Sequence, residues 1–527
     1  MIYNIMNNRV KYILIFSAIL ILAIFLRVYK LDTTPPGLWY DEAINGLDAL
    51  DTIEAFPHIP IFYTTDNHPR EPIIMWYLAI LFKLFSPSIL LMRIAIALVG
   101  ILTVATFFLL AKEFFKTEWA FVAMLLFAAF EWNFHLNRLI FRANILNLFS
   151  VLALLFLIKF LDKRSRIFAI LSGIFLGLGF YTYFSIYAFV MFYVILILLY
   201  FGKDILKEKE FRLNIFLLFL ASLIIFSPLL IDYIKNPNHI FGRVGEVSLF
   251  GNGFVAGIKT IIQNFFAMFA MFIYKGDLNQ KFNNSAQPVF DILTALIFYL
   301  GLFFLTINWR KRNYKQMAIL LYFFFMILPS VFSVDAPHSL RALGSVPAIV
   351  LILTYGYATL YLVLSKFLSV KKVRVIIAIL LIFFCSIEYN RYFNIWAKSN
   401  NTWNNFNSDY VVLTEDLRLF DNDGNPSVVY ISNDIFYHPT FKFEMMLSKK
   451  VKTIPLSDLL QDNNILKKNE DINKYIFIFY IDRDKKEVKN LIDFMRQNNI
   501  NIFKIKEYKT IDNKFTLGIL YKINLAE

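Results

Sequence analysis

Cysteine is almost absent from this chain: Cys385 is the only one in 527 residues. A lone cysteine excludes an intrachain disulfide, so cysteine usage does not identify the redox compartment. Charge is scarce too, with Asp, Glu, Lys and Arg making up 17% of residues. The sequence has no Walker loop, nucleotide-binding glycine motif, zinc-ligand spacing or serine-nucleophile elbow. That sets aside the common soluble enzyme classes that depend on them. No internal repeat stands out. No A-x-A-like cleavage site follows the first apolar run, which therefore reads as a retained span and not a removed signal.

What is plentiful is apolar. Hydrophobic residues make up 58% of the chain, including 59 Phe, above the roughly 45–50% of soluble domains. The apolar runs recur at close to the 20 or so residues that cross a bilayer. The reading is an α-helical polytopic membrane protein with about eleven spans, near 12–28, 92–111, 119–136, 144–160, 167–182, 184–201, 213–231, 288–307, 316–333, 342–364 and 374–390. The run 73–85 is too short to span and reads as an interfacial or packed segment. Clusters such as Lys203, Lys207, Lys209 and Arg212, or Lys366, Lys371, Lys372 and Arg374, then all fall on one side. The positive-inside rule makes that side the cytoplasm, with the amino end inside. The net charge of +14 is explained by topology and does not call for nucleic acid as a partner. The expected location is the plasma (inner) membrane.

Two domains are expected. Residues 1–393 form the transmembrane domain, with a long first outer loop at 31–91. Residues 394–527 form a soluble extracytoplasmic α/β domain, because the apolar runs there shorten to strands at 427–432, 474–481, 501–508 and 515–523. Residues 486–498 read as an amphipathic helix. Asp421-Asn422-Asp423-Gly424 resembles a fragment of a calcium loop but reads as a turn.

The chemistry collects on the outer side. Asp41 and Glu42 follow the first span and Pro35-Pro36. Such a doublet serves as a general base, a cation ligand, or an acidic first helical turn facing the helix dipole. Around it the topology gathers His68, Arg70, Glu71, Arg138, Arg142, Asn144, Tyr181, Tyr183, His239, Arg243, His338 and Arg341. Ionisable groups near membrane depth mark function by default, and Arg forks suit a phosphate leaving group. Plainer readings stand beside these. Arg138 and Arg142, four apart on one helical face, serve equally as snorkelling anchors. His338 and Arg341, three apart at the start of a span, fit a capping role. Tyr181 and Tyr183 fit an interfacial aromatic belt.

The order of these features resembles the type C glycosyltransferases, in particular the protein O-mannosyltransferase-like group (glycosyltransferase family 39) and bacterial relatives such as the lipid A aminoarabinose transferase. The likeness rests on Trp39-Tyr40-Asp41-Glu42-Ala43, His68-Pro69-Arg70-Glu71-Pro72, Arg93 with Gly100 and Thr103, and Ala111-Lys112-Glu113-Phe114-Phe115. It continues through Arg138 to Asn144, Gly173 to Tyr183 and His338-Ser339-Leu340-Arg341, covering about 10–390. The resemblance implies an inverting enzyme that moves a sugar from a polyprenyl phosphate to an extracytoplasmic lipid, glycan or protein acceptor. It makes Asp41 the base or acceptor-orienting carboxylate, with Glu42 as its partner. Arg341, with His338, Arg138 and Arg243 behind it, would hold the donor phosphate. His68, Arg70, Glu71, Arg142, Asn144, Tyr181 and Tyr183 would lie on the acceptor side. Asn144 stands where many relatives carry a second acid, so no metal is assigned and a divalent cation stays open. A lipid-linked sugar transporter or flippase and a non-catalytic envelope scaffold are the alternatives; the mostly unbroken spans and one-sided charges weigh against a transporter.

Overall fold

A computed structural model of the chain describes all residues except 1, 66–68, 241–248, 250–252, 308–312, 420–426, 447, 449, 462–472, 480–496, 498–499, 510–515 and 526–527. The chain divides into two compact units. The first comprises Met1–Leu31, Asp51–Leu84 and Leu90–Ala397; the second comprises Asp32–Leu50, Phe85–Ile89 and Lys398–Glu527.

The first unit is helical. Its elements include α1 (Ile2–Val28), α3 (Ile73–Leu84), α4 (Ile89–Phe114), α5 (Thr117–Ala129), α6 (Glu131–Leu136), α7 (Ala143–Lys163), α8 (Arg166–Gly179), α9 (Ile186–Lys207) and α10 (Lys209–Lys235). They continue with α11 (Phe254–Ala270), α12 (Ile292–Thr306), α13 (Tyr314–Val331), α14 (Val346–Leu364) and α15 (Val370–Asn390). Among the described residues, seven helices are long and apolar enough to cross a membrane. The expected spans at 119–136, 167–182 and 288–307 fall instead on the shorter apolar helices α5, α8 and α12. Helix α3, expected to be too short to span, has 12 residues.

Two departures from expectation have local causes. The expected span 119–136 is broken at Phe130, whose backbone is extended and closes α5 through its N–H to Leu126 O. The N–H of Glu131 then donates to the buried Glu388 carboxylate at 2.6 Å. A side chain from another helix thus satisfies one of the orphan donors that any helix start leaves. The expected loop after α10 contains α11, whose polar Lys259, Gln263 and Asn264 interrupt the apolar run. Asn264 Nδ2 donates to the carbonyls of Val331 and Ser333 at 2.9 and 2.8 Å, holding α11 against the end of α13.

Helix packing is close enough at one crossing to require glycine on both sides. A Cβ on Gly301 of α12 would lie 2.3 Å from Ile352 O, and one on Gly356 of α14 would lie 2.1 Å from Ile297 O. Small residues let helix backbones approach in this way within a bilayer.

The second unit contains a mixed sheet ordered β2-β1-β3-β5-β4, built from β1 (Ser427–Ile431), β2 (Val451–Pro455), β3 (Asn473–Phe479), β4 (Ile500–Lys509) and β5 (Thr516–Leu525). β1 pairs in parallel with β2 and β3, while β5 runs antiparallel to β3 and β4. Helices α16 (Asn400–Asn405), α17 (Ser408–Leu419), α18 (Asn433–Phe436), α19 (Pro439–Met445) and α20 (Leu456–Gln461) accompany it. Leu413, Leu417, Val429, Ile431 and Phe441 form part of its core. β2, with Lys452 and Pro455 in five residues, is the strand that the sequence reading does not anticipate. Residues 421–424 and 486–496, read as a turn and as part of a helix, lie outside the described residues.

Candidate active site

Helix α2 (Tyr40–Glu54) begins at the acidic doublet. The two carboxylates do different things. Glu42 is fully buried, and its Oε2 accepts the Trp39 N–H at 3.1 Å. This is half of a capping box: a residue three positions into the helix reaches back to cover an orphan donor. Asp41 is partly exposed in the same first turn, where the positive end of the helix favours an anion. Behind the doublet, Asn45 and Asp48 are also buried. The sequence reading missed them, although 41, 45 and 48 repeat at the four- and three-residue steps of one helical face.

Arg138 and Arg142, expected to share a helical face, lie instead in the irregular segment between α6 and α7. Arg138 is fully buried. Its Nη1 donates to Leu26 O at 3.0 Å, its Nη2 to Tyr29 O at 2.8 Å and Lys30 O at 3.2 Å, and its Nε to the Tyr392 hydroxyl at 3.0 Å. The guanidinium also sits 5.2 Å from the ring centres of Tyr392 and Phe393. These carbonyls belong to the end of α1, where a helix leaves acceptors unsatisfied and favours a cation. Arg93 adds a contact of the same kind, from Nη1 to Leu31 O at 3.2 Å. Arg138 therefore braces the end of α1, in place of the phosphate contact expected of it.

Asn144 is equally committed. Its Nδ2 donates to the carbonyls of Leu136, Leu139 and Phe141 at 2.7, 3.1 and 3.2 Å, and its Oδ1 accepts from Asn137 at 3.0 Å. Instead of facing a substrate, it stitches the turn between α6 and α7. Arg142 and Glu71 form a buried ion pair at 2.6 Å, and the Arg142 guanidinium lies 5.5 Å from the Tyr183 ring centre. Glu71, Arg142 and Tyr183 are thus brought together. Arg70, buried, donates from Nη2 to Thr65 O at 3.4 Å. Tyr181 donates to Ile225 O at 2.9 Å and packs against Trp76 with ring centres 5.6 Å apart. His239 pairs with Asp232 at 2.6 Å. His68 and Arg243 lie outside the described residues.

The segment carrying His338 and Arg341 is a turn ahead of the 3₁₀ turn Leu343–Ser345, not the first turn of a long helix. Arg341 is partly exposed. It reaches the Ser333 hydroxyl through Nη1, and its carbonyl accepts the Ser185 hydroxyl at 3.0 Å. The His338 imidazole is pushed down to about 3 by burial and by the Arg341 charge, so it acts as a neutral ring. The turn is pinned by a residue the sequence reading did not single out. Asp277, buried, accepts the Ser339 N–H at 2.6 Å and the Asn279 N–H at 2.8 Å. Burial raises its carboxyl despite those bonds. Phe282 packs between Phe141 and His338, with ring centres 5.8 and 5.5 Å away. Among the described residues, no group of three His, Cys, Asp or Glu side chains is placed to hold a metal ion.

Residues 67–231 match the family model described as dolichyl-phosphate-mannose-protein mannosyltransferase. The crystal structure of ArnT from Cupriavidus metallidurans bound to undecaprenyl phosphate superposes with a TM-score of 0.58 at 12% identity, over 97% of this chain and 98% of that one. Archaeal oligosaccharyltransferase AglB from Archaeoglobus fulgidus, in complex with an inhibitory peptide and a dolichol-phosphate, superposes with a TM-score of 0.54 at 12% identity, over 99% of this chain and 75% of that one. Among curated proteins, none matches. The chain is a multi-pass membrane protein with the type C glycosyltransferase fold, and the likeness read from its sequence holds.

Proposed function

We propose that the chain is an inverting glycosyltransferase that moves a sugar from a polyprenyl phosphate to an acceptor on the extracytoplasmic side of the plasma membrane. The observation that carries the reading is the division of labour in the doublet. Glu42 is buried as a helix cap, while Asp41 in the same turn is partly exposed. Asp41 takes the proton of an acceptor hydroxyl or amide as that group attacks the anomeric carbon. The carbon–oxygen bond to phosphate breaks, and the electron pair leaves with the polyprenyl phosphate. A single displacement of this kind inverts the anomeric centre.

Arg341 is the cation we assign to the leaving phosphate, because it keeps solvent access while Arg138 does not. Neutral His338 beside it adds a polar ring without adding charge. Glu71, Arg142 and Tyr183 form the preorganised polar cluster we assign to the acceptor side. The match to a structure holding undecaprenyl phosphate supports the donor class, and the family model supports a glycosyl donor.

The test uses the purified full-length chain in nanodiscs, with undecaprenyl-phosphate-linked sugars as donors. Asp41→Asn should bind undecaprenyl phosphate as the parent does, yet transfer about 10²–10⁴-fold more slowly, the range for losing a general base. Full transfer by that variant would remove Asp41 from the mechanism.

A further inference from the structure

The segment that delivers Asp41 to its place is held by the second unit's own carboxyl-terminal part. Leu38 O, three residues before Asp41, accepts from the Thr440 hydroxyl at 2.9 Å and from Asn407 Nδ2 at 3.2 Å. The two donors also touch each other, Asn407 Nδ2 to Thr440 Oγ1, at 3.3 Å. Leu38 and Thr440 are both fully buried. Gly37 has no room for a side chain: a Cβ there would lie 2.3 Å from Phe406 O and 2.7 Å from Ser408 Cα. The Tyr40 and His438 rings are nearly perpendicular with centres 5.2 Å apart, and the His438 ring makes a second such contact with Tyr410 at 4.7 Å. His438 Nδ1 in turn accepts the Thr440 N–H at 3.3 Å, capping α19. Asn407 has a positive φ of 50°, a conformation Asn adopts more readily than most residues.

We propose that the carboxyl-terminal part of this unit is a platform that sets the position of Asp41, with Thr440, Asn407 and His438 as positioning residues. Every contact is made to the three residues that lead into α2 or to its first residue, so the platform fixes the direction in which the first turn, and Asp41 with it, emerges. None of the three residues is asked to touch substrate. Burial pushes the His438 imidazole down to about 4, in keeping with a neutral ring that accepts through Nδ1. The inference rests on the reading of Asp41 given above and adds a task for residues 398–527, about which the sequence is silent. Small displacements of a reacting group are costly: an error of about 1 Å lowers a rate by up to about 10²-fold.

The test has a physical arm and a catalytic arm, both on the full chain in nanodiscs. Thr440→Val removes one donor with little change of shape. Asn407→Gly removes the other and keeps the positive φ. Amide exchange in peptides covering 37–47 should speed up about tenfold or more in the double variant, with peptides covering 131–145 unchanged. Unchanged exchange at 37–47 would overturn the inference whether or not any donor is turned over. In the catalytic arm, Thr440→Val should lower kcat about 10–100-fold with KM for an undecaprenyl-phosphate-linked hexose within about twofold. Thr440→Ser, which keeps the hydroxyl, should restore it. Val429→Ala, in the sheet core of the same unit, controls for lost stability and should lower Tm without that kcat loss. If Asp41→Asn abolishes transfer while Thr440→Val leaves kcat intact, the platform fails and the reading of Asp41 stands. If Asp41→Asn transfers normally, the reading of Asp41 fails, and the exchange arm alone decides whether the clamp exists.

Discussion

Two arginine-bearing turns in the helical unit look alike in sequence and differ in use. At the end of α1, Arg138 is fully buried and donates to three carbonyls and a tyrosine hydroxyl. In the turn before Leu343–Ser345, Arg341 is partly exposed, and the turn is fixed by its backbone: Ser339 N–H to Asp277, Ser185 hydroxyl to Arg341 O. The first turn uses its guanidinium to hold the fold. The second is held by other groups, and its guanidinium, which reaches the Ser333 hydroxyl and stays partly exposed, is the one we assign to a ligand. A cation near the membrane is therefore informative about substrate only after the acceptors around it have been counted. Arg138 meets the orphan carbonyls of a helix end, a demand that exists in any fold that terminates a helix in apolar surroundings.

The largest effect that would sharpen this contrast is on stability. Arg138→Ala leaves the carbonyls of Leu26, Tyr29 and Lys30 without that donor, at a cost of about 3–5 kcal/mol by analogy with breaking a buried charged contact. It should cut the yield of folded protein and lower Tm by several degrees in detergent. Arg341→Ala should change stability by less than about 1 kcal/mol and instead weaken binding of undecaprenyl phosphate, read by titration at low and high salt. If Arg341→Ala unfolds the chain and Arg138→Ala merely weakens phosphate binding, the two roles are reversed.

A mid-sized effect separates the doublet. Glu42→Gln keeps an oxygen that can accept the Trp39 N–H and should hold most of the helix start, whereas Glu42→Ala loses the cap at about 1 kcal/mol. Both should leave more transfer activity than Asp41→Asn. Equal loss from Glu42→Gln and Asp41→Asn would mean that the two carboxylates act together and that Glu42 is more than a cap.

Much of this was legible in the sequence, for identifiable reasons. Apolar runs mark the helices because every backbone group in lipid must be satisfied within its own segment. The strands of the second unit show as short apolar runs, except β2, where Lys452 and Pro455 hide the pattern. Helix α11 was obscured by polar residues, one of which, Asn264, caps a neighbouring element. The role of Arg138 was not legible because it depends on carbonyls more than 100 residues away. That residues 32–50 fold with 398–527 was not legible either: contacts such as Leu38 O with Thr440, 402 positions apart, leave no trace in local composition. Asp48 could have been found, because it shares a helical face with Asp41.

The smallest expected effect is a pH dependence confined to the second unit, where two partly buried groups pull in opposite directions. His438 is lowered to about 4 by burial. Above its ordinary value near 6.5 it is neutral whether the unit is folded or not. As pH falls from there towards 4, the unfolded chain takes up a proton that the folded one refuses, so stability drops. Asp409 is raised to about 6 by burial, against hydrogen bonds from its own and the Tyr410 backbone. Below its ordinary value near 3.9 it is neutral in both states. As pH rises from there towards 6, the unfolded chain gives up a proton that the folded one keeps, so stability drops in the other direction. Between about 4 and 6.5 the two slopes oppose, and the unit should show a nearly flat Tm. His438→Gln should tilt that profile so that the unit is more stable at pH 4.5 than at pH 7, and Asp409→Asn should tilt it the opposite way. Differential scanning fluorimetry of the two variants across that range decides the matter, and parallel profiles in both variants would show that neither group is buried as described.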